Sequence, residues 1–430
     1  MIKGGVSIFK GRRVLLLQGP LGPFFSRLAF DLTQAGAVVS KIDFNGGDWA
    51  FSPWGSITFR GVASAWPAFF ESVLNEHRID MVLLFGDCRA MHRVAHEIAA
   101  ERGIELGVFE EGYVRPDYIT LERFGVNGHS KISRDPDFYF NTTPREVPPT
   151  SEVGGSFWQA TKWAVLYYLA SALLYPFFRH YQHHRPLTLW EGLPWLRGTW
   201  RKHFFAQKEK GILKELATTR SKQFFLVALQ VHNDAQVHVH SDFDSVAAFI
   251  EDVVSSFVRF APPGTDLVIK HHPLDRGYHD HSRLISSLLR KHGVQERVRY
   301  IHDQHLPTLL EHARGIVLVN STVGLSALHY GTPLMVCGSA IYDMQGLTYQ
   351  GSLHKFWNDA QTMSMDRELY ERFRNYLIEH TQLNGSFYKR LNISGSSAGL
   401  MWAKPVDDYK TADLAIINAI KIDILDVLAR

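Results

Sequence analysis

Residues 298–336 read VRYIHDQHLPTLLEHARGIVLVNSTVGLSALHYGTPLMV, and short apolar runs alternate there with amphipathic segments. The pattern predicts strands at 298–301, 315–319 and 333–336, with helices between them at 306–313 and 323–330. Strands that are separated by helices usually form parallel sheets that are covered on both faces. This stretch therefore predicts a doubly wound α/β unit.

A similar alternation begins at residue 13, stops near residue 140 and returns near residue 223. We therefore predict an α/β fold of two Rossmann-like, doubly wound domains with a helical insertion rich in aromatic and basic residues. Periodicity alone supports only two α/β domains, and two such halves with a cleft between them resemble the GT-B arrangement of glycosyltransferases. The expected divisions are an N-terminal domain at 1–150, the insertion at 151–215, a C-terminal domain at 216–385 and a variable tail at 386–430 with one helix at 411–429.

The composition excludes several classes of protein. The chain has 430 residues, of which 45% are hydrophobic and 21% charged, so it is neither disordered nor collagen-like. A net charge of only +3 argues against bulk attraction to nucleic acid. The two cysteines, Cys88 and Cys337, are too few for a disulfide framework or a cysteine-rich zinc site. No apolar run is long enough for a signal peptide or a membrane span, and we expect a cytoplasmic protein.

Residues 156–205 combine aromatic and basic side chains. Aromatic rings suit the headgroup boundary of a bilayer, and basic groups suit anionic lipid. A helical pair packed on the core is the other interpretation, and both remain open. The residues concerned are Trp158, Trp163, Trp190, Trp195 and Trp200 with Arg179, Arg185, Arg197, Arg201 and Lys202.

The segment FEEGYVRP (109–116) follows a predicted strand at 104–109. Ligands of open α/β sheets bind beyond the carboxyl ends of the strands, so Glu110 and Glu111 are expected at the cleft. Either carboxylate could act as a nucleophile or as a general base. Taken alone, Glu-Glu-Gly is more often a solvated acidic turn.

Two further segments follow predicted strands. In KHHPLDRG (270–277), histidine and arginine beside a proline turn can donate hydrogen bonds to phosphate oxygens. His271 and His272 are poor candidates for one metal ion, because adjacent residues of an extended chain point to opposite sides. In NSTVG (320–324), hydroxyl and free N–H groups at a helix start can bind an anion or simply cap the helix.

An acidic loop, a His-Pro pair and a Ser-Thr pair in this order resemble the bacterial transferases that use CMP-activated ulosonate and nonulosonate sugars. Longer segments narrow the resemblance to the KpsS family of capsule polysaccharide biosynthesis and export proteins, from about residue 12 to 385. These segments are LLLQGPLGPFFSRLA (15–29), FNGGD (44–48), FGDCR (85–89), FEEGYVRPDYITLE (109–122), GVNGHS (125–130), RDPDFY (134–139), LQVHNDAQV (229–237), VIKHHPLDRG (268–277), NSTVGLSAL (320–328) and GLTYQGSLHKFW (346–357).

The resemblance implies a retaining β-Kdo transferase that moves Kdo from CMP-Kdo to a phosphatidylglycerol-type lipid and so starts the β-Kdo linker of a capsular polysaccharide. The first domain would hold the acceptor and the second the CMP-sugar. The implied partners are CMP-Kdo, the lipid, the inner face of the cytoplasmic membrane, where the protein would be peripheral, and other capsule biosynthesis or export proteins. No nucleic acid, metal or cofactor is expected, since protein cations and helix dipoles can stabilise a leaving phosphate.

The resemblance also assigns roles to single residues. The family's Glu-Asp-Gly pattern reads Glu110-Glu111-Gly112 here, so Glu111 is the expected nucleophile and Glu110 the base or a structural anchor. The expected CMP-binding residues are Lys270, His272, Pro273, Arg276, Asn320, Ser321 and Thr322. The candidates for binding sugar or acceptor are Gly19, Gly22, Arg115, Asn233, Asp234 and Gln236.

Two other functions remain open at this point, an inverting CMP-sialic-acid-type transferase and a non-catalytic adaptor of capsule assembly. Paired acids that face a phosphate site favour an enzyme over an adaptor. Donor choice separates the two enzymes, and the sequence does not reveal it.

Overall fold

A computed structural model describes residues 5–402, apart from 53–54, 144–146, 148, 182–191 and 295. The helix predicted at 411–429 lies outside the described residues, as do Arg185 and Trp190. The strands are β1 (Arg13–Leu16), β2 (Val38–Asp43), β3 (Ile57–Thr58), β4 (Met81–Phe85), β5 (Glu105–Glu111), β6 (Tyr118–Arg123), β7 (Phe224–Ala228), β8 (Asp266–Lys270), β9 (Val298–Ile301), β10 (Gly315–Leu318), β11 (Leu334–Val336) and β12 (Gln382–Asn384). The α-helices are α1 (Phe24–Gln34), α2 (Gly46–Ala50), α3 (Trp66–Glu76), α4 (Ala90–Glu101), α5 (Pro136–Asn141), α6 (Phe157–Leu173), α7 (Gly192–Lys208), α8 (Ile212–Ala217), α9 (Ala235–Val239), α10 (Val246–Phe260), α11 (Ser282–His292), α12 (Leu306–His312), α13 (Val323–His329), α14 (Leu353–Asp359) and α15 (Arg367–His380).

The first sheet has seven strands in the order β12-β6-β5-β4-β1-β2-β3. From β3 to β5 the strands run parallel, as the sequence predicts. Beyond β5 the sheet is antiparallel, because β6 pairs with β5 and β12 pairs with β6. Apolar side chains pack on both faces of this sheet, around Phe24 and Phe109 in one cluster and around Phe44 and Trp66 in another.

The pairing with β6 extends β5 beyond the end predicted from the sequence. Glu110 lies opposite Thr120 and Glu111 lies opposite Ile119, so the acidic pair belongs to a strand and not to a turn. The sequence pattern missed this because β5 ends in charged residues, whereas the predicted strand ended with its last apolar side chain.

β12 brings the chain back from the second domain to the first sheet. The side-chain amide of Asn384 donates to the carbonyl oxygens of Asp117 at 2.6 Å and Ser151 at 2.9 Å. After β12, Phe387 and Leu400 pack in the same core as Phe24. Residues 382–402 therefore belong to the first domain, although the sequence placed 382–385 in the second domain and 386–430 in a separate tail.

The second sheet is wholly parallel, in the order β11-β10-β7-β8-β9. Its covering helices follow the apolar spacing of the sequence. In α10, for example, Phe249, Ile250, Val253 and Phe257 are buried, and the side chain of Ser245 caps the first turn. The two doubly wound α/β domains that the sequence predicts are thus confirmed.

The described part of the insertion includes the helices α6 and α7, and α6 packs on α2. The sequence Asn-Gly-Gly-Asp at 45–48 predicts only a turn, but the Asn45 side chain accepts hydrogen bonds from the N–H groups of Gly47 and Asp48 and starts a short helix. Tyr167 of α6 donates to the Asp48 carboxylate at 2.8 Å, and the N–H of Gly47 donates to Ser171 at 3.0 Å.

The core-packing interpretation holds for some residues of the insertion, and the membrane interpretation stays a prediction. Trp195 donates to the Tyr278 hydroxyl at 3.1 Å, and Trp163 is only partly exposed and donates to the Tyr388 carbonyl. Arg201 was expected among the membrane-facing basic residues, but it is buried and pairs with Asp280. In contrast, Trp158 and Trp200 are 77% and 65% exposed.

The close approach of α6 and α2 predicts a cost for any side chain at Gly46. An added Cβ would lie 2.5 Å from Cβ of Leu174 and 2.6 Å from the carbonyl oxygen of Ala170. We expect Gly46→Ala to lower the stability by about 1–3 kcal/mol, because the helices must move apart. The matched control is Gly155→Ala, where an added Cβ meets no atom within 4 Å. Thermal unfolding of the two variants measures the difference, and equal midpoints would contradict this account of the packing.

Candidate active site

Residues of both domains meet beyond the carboxyl ends of β4, β5, β7 and β10, at a place that we call the junction. Nε of Arg134 donates to the Ala340 carbonyl oxygen at 3.0 Å, and Sγ of Cys88 lies 3.7 Å from Nε2 of His240. A small cavity of about 10 Å³ at the junction, with room for about one water molecule, is lined from both domains, by Tyr113, Asn127, Asn320, Thr322, Leu325, Ser339, Ala340, Ile341 and Tyr342. The junction is therefore the expected ligand site of this fold.

Glu110 lies on the side of β5 that faces the loop after β4. Its Oε1 accepts a hydrogen bond from the N–H of Glu111 at 2.9 Å, and the charges nearest to it include Asp87 and Arg89. Desolvation raises the pKa of Glu110 to about 7, and the charges of Glu111 and Asp87 act in the same direction. A carboxyl group with this pKa can accept and release a proton near neutral pH.

Glu111 points to the other side of β5, since successive strand residues alternate in direction. The hydroxyl of Tyr388 donates to its Oε1 at 3.4 Å. Burial raises the pKa of Tyr388, and the charge of Glu111 adds to this effect, so the phenol stays protonated and can orient the carboxylate. The two glutamates thus have different surroundings, which the sequence could not distinguish.

Arg89 connects the acidic pair to the loop after β1. Its Nη1 donates to Oε1 of Gln18 at 2.9 Å and to the Gly19 carbonyl oxygen at 3.4 Å. In that loop Gly19 packs against Phe25, and an added Cβ at Gly22 would lie 2.8 Å from Cβ of Trp163. The loop predicted to face the acceptor therefore lies between α1 and α6.

The His-Pro segment contributes one buried lysine and two histidines with different neighbours. Lys270 is buried and donates to the His302 carbonyl oxygen at 3.1 Å. His271 is paired with the Tyr300 hydroxyl at 2.6 Å, and burial lowers its pKa to about 3. Burial also lowers the pKa of His272 to about 4, and its Nδ1 accepts from the N–H of Leu274 at 3.2 Å. In this neutral ring Nε2 carries the proton and can donate to a ligand.

Two arginines predicted at the site have different surroundings. Arg276 lies 3.4 Å from the Asp303 carboxylate and donates to the Pro273 carbonyl oxygen, so a protein group already balances its charge. Arg115 donates to the Gly112 carbonyl oxygen at 3.1 Å, and its charge reaches His272 of the other domain. The charge of Arg115 therefore acts on His272 across the junction.

The third segment, 320–324, is partly structural. The Asn320 amide donates to the carbonyl oxygens of Gln236 at 2.9 Å and His240 at 3.2 Å, while Asp234 caps α9 through the N–H of Gln236. Asn233 is exposed, and Ser321 accepts from the N–H of Val323 at 3.2 Å. Thr322 lines the cavity. The predicted binding residues therefore include several that fix the loops around the junction.

Sequence reasoning missed several polar residues at the junction. His232 is paired with the buried Asp275 through both its ring and its N–H. The other missed residues are Asp87, Cys88, Arg89, His129, His240 and Tyr388. Four of them lie in FGDCR (85–89) and GVNGHS (125–130), which enter the sequence prediction only through their resemblance. FGDCR lies at the end of an apolar run that predicts a strand at 80–85, and this position was the available signal for Asp87, Cys88 and Arg89.

The raised pKa of Glu110 predicts a pH dependence of stability. Between its ordinary value of 4.5 and about 7, the folded protein holds a proton that the unfolded chain releases, so this group makes folding less favourable as the pH rises through that window. We expect Glu110→Gln to stabilise the protein by about 1–3 kcal/mol above pH 7, and by much less near pH 5. Urea unfolding at the two pH values measures this.

The control for that experiment is Glu101→Gln, which removes the same charge from an exposed position at the end of α4. A gain in stability that is the same at both pH values for Glu110→Gln would contradict the assignment of a raised pKa.

Comparison with known proteins places this site in a family. The sequence model of the family described as capsule polysaccharide biosynthesis protein matches residues 80–388. The capsule polysaccharide export protein KpsS of Escherichia coli is 39% identical over 383 residues, which cover 89% of this chain and 98% of that protein. The capsule polysaccharide modification protein LipB of Neisseria meningitidis serogroup A is 40% identical over 387 residues, covering 88% and 92%.

Among solved structures, the β-Kdo 2,7 transferase of Thermosulfurimonas dismutans KpsC aligns with 96% of this chain and 100% of its own, with 14% identity and a TM-score of 0.42. The family model covers most of the chain and both curated relatives align over nearly their whole length, so the resemblance seen in the motifs is confirmed. The chain belongs to the capsule polysaccharide biosynthesis family.

Proposed function

We propose that this chain is a retaining glycosyltransferase, which transfers Kdo from CMP-Kdo to a phosphatidylglycerol-type lipid and starts the β-Kdo linker of a capsular polysaccharide. The observation that carries the proposal is the pair Glu110 and Glu111 at the end of β5, where one carboxyl has a pKa near 7 and its neighbour is oriented by Tyr388. Two carboxyl groups with different roles are what a double displacement needs.

The opposite side of the junction supports a donor that carries a phosphate and a carboxylate. Nε2 of His272 can act as a donor, and the charge of Arg115 is among those that lower the pKa of His272. A cation and a neutral hydrogen-bond donor together can bind the CMP phosphate and stabilise it as it leaves. In the proposed complex Arg115 and His272 bind the donor. Lys270 is buried, and its positive charge attracts the donor phosphate without direct contact.

In the proposed reaction Glu111 attacks the anomeric carbon of Kdo, and the bond to the phosphate oxygen breaks with its electron pair going to CMP. Glu110 then takes the proton of the lipid hydroxyl, whose oxygen attacks the same carbon and releases the Glu111 carboxylate. The acceptor in a double displacement approaches from the side opposite to the nucleophile. Carboxylates that point to opposite sides of β5 are compatible with this division of roles.

We predict that Glu111→Gln abolishes transfer and leaves CMP binding intact, because the amide cannot form the covalent adduct. Glu110→Gln should still form the adduct but turn it over slowly, since the base for the second step is lost. The assay combines the protein, CMP-Kdo and a short-chain phosphatidylglycerol, and mass spectrometry of quenched digests locates Kdo on the peptide that contains both glutamates. Glu101→Gln is the surface control and should keep full activity.

An adduct on Glu110, or full activity of Glu111→Gln, would contradict the assignment of the nucleophile. Transfer only from CMP-sialic acid with an inverted anomeric centre would replace the proposal by an inverting transferase, and absence of transfer from either donor would favour an adaptor.

We further propose that the protein binds the inner face of the cytoplasmic membrane through the insertion. Within the described ranges, every helix is too short or too polar to cross a bilayer. The outer sides of α6 and α7 nevertheless expose large apolar residues, namely Phe157, Trp158, Leu169, Leu173, Leu193, Leu196, Trp200 and Phe204. Arg179, Arg197 and Lys202 are exposed beside them and suit an anionic lipid surface.

We expect the triple variant Arg179→Gln, Arg197→Gln, Lys202→Gln to lose co-sedimentation with phosphatidylglycerol vesicles, since each basic group near an anionic surface contributes about 1 kcal/mol. The control variant Lys131→Gln, Lys291→Gln, Lys355→Gln removes the same charge from exposed positions elsewhere and should bind like the parent. Added salt should release the parent protein. Equal binding of the two variants would reject the membrane role of the insertion.

A further inference from the structure

Three side chains with metal-binding atoms meet at the junction, from three separate segments of the chain. Cys88 follows β4, His129 follows β6, and His240 follows α9 of the second domain. Their ligand atoms, one from each residue, all lie within 4.8 Å of one another. The distance of 3.7 Å between Sγ of Cys88 and Nε2 of His240 is close to the separation of about 3.6 Å expected for sulfur and nitrogen on one tetrahedral zinc ion.

The surroundings hold these side chains in position. The Asp87 carboxylate accepts a hydrogen bond from Nδ1 of His129 at 3.1 Å, the arrangement by which a carboxylate fixes the ring of a metal-binding histidine. An added Cβ at Gly128 would lie 2.3 Å from Nδ1 of His240, so the ring packs directly on the backbone. His240 is buried, whereas the His129 side chain is 48% exposed and gives an ion access from solvent.

We propose that Cys88, His129 and His240 form a binding site for a divalent transition-metal ion of the zinc type. One thiolate and two imidazoles are ligands that suit Zn²⁺, and three protein ligands leave one position for water or another small ligand. Binding forms a bond from the metal to Sγ of Cys88, and the thiol proton passes to solvent. The sequence assigned no metal ligands, because two cysteines exclude a cysteine-rich site but do not exclude one cysteine with two histidines.

Such an ion would connect the two domains. Cys88 and His129 belong to the first domain, while the carbonyl oxygen of His240 accepts from the N–H of Ser339 at 2.7 Å and from the Asn320 amide at 3.2 Å. The metal would therefore fix the loops after β7 and β10 against the loop after β4. This role is structural, and no step of the proposed transfer passes through the ion.

The test uses the full chain, freed of metal with a chelator and titrated with Co²⁺, whose absorption reports both tetrahedral geometry and a bond to thiolate. We expect one equivalent to bind, with a thiolate charge-transfer band, in the parent and in Cys337→Ser, which removes the other cysteine. Cys88→Ser should lose the band. His129→Gln should weaken binding at least about tenfold, because even loss of a residue that orients a ligand costs that much.

Added Zn²⁺ should also raise the thermal midpoint of the parent and of Cys337→Ser but not that of Cys88→Ser. His129→Gln, at a half-exposed position, provides the second test if Cys88→Ser fails to fold. Absence of the charge-transfer band in the parent, or an unchanged band in Cys88→Ser, would overturn the proposal. Neither measurement uses a sugar donor. Failure of the metal-site proposal can therefore be distinguished from failure of the proposed transferase activity.

Discussion

The antiparallel pairing of β6 with β5 is the constraint on which the candidate site depends. It continues the ladder through Glu110 and Glu111, opposite Thr120 and Ile119. At Gly112 an added Cβ would lie 2.0 Å from the carbonyl oxygen of Tyr118, so the chain can turn here only with glycine. A flexible acidic loop would let both carboxylates reach solvent, whereas the strand directs each to one side and keeps their surroundings different.

The cost of this arrangement is the desolvation of Glu110. Its ionised form is disfavoured by burial and by the nearby charges of Glu111 and Asp87, while Arg89 and the N–H of Glu111 offset part of that cost. A surface carboxylate would keep the ordinary pKa of 4.5 and would be a weaker base toward the lipid hydroxyl. The same packing that lowers stability thus gives the group a pKa suited to proton transfer, an exchange of stability for function that is common at active sites.

Local patterns account for the parts of the structure that the sequence predicts well. The parallel strands of both sheets follow from apolar runs between amphipathic helices, and β9 coincides with its predicted limits. β12 could not be predicted, because its three residues pair with a strand more than 250 positions earlier. The motifs placed His272 and the acidic pair at strand ends. Which residues face a ligand depends on their exposure in the folded chain, which the motifs do not give. Arg201, for example, is buried against Asp280 because of tertiary packing.

The insertion and the site are connected by hydrogen bonds and not only by proximity. Tyr167 of α6 interacts with both Asp48 and Gln18, and Gln18 in turn accepts from Arg89. Arg89 is one of the charges that act on Glu110. The outer side of α6 is apolar, and its inner side carries this hydrogen-bond network. The position of α6 relative to β1 therefore determines where Arg89 lies. If α6 rests on a lipid surface, as proposed, the membrane that supplies the lipid acceptor also contacts α6. The hydrogen bonds of α6 lead through Gln18 and Arg89 to the acidic pair.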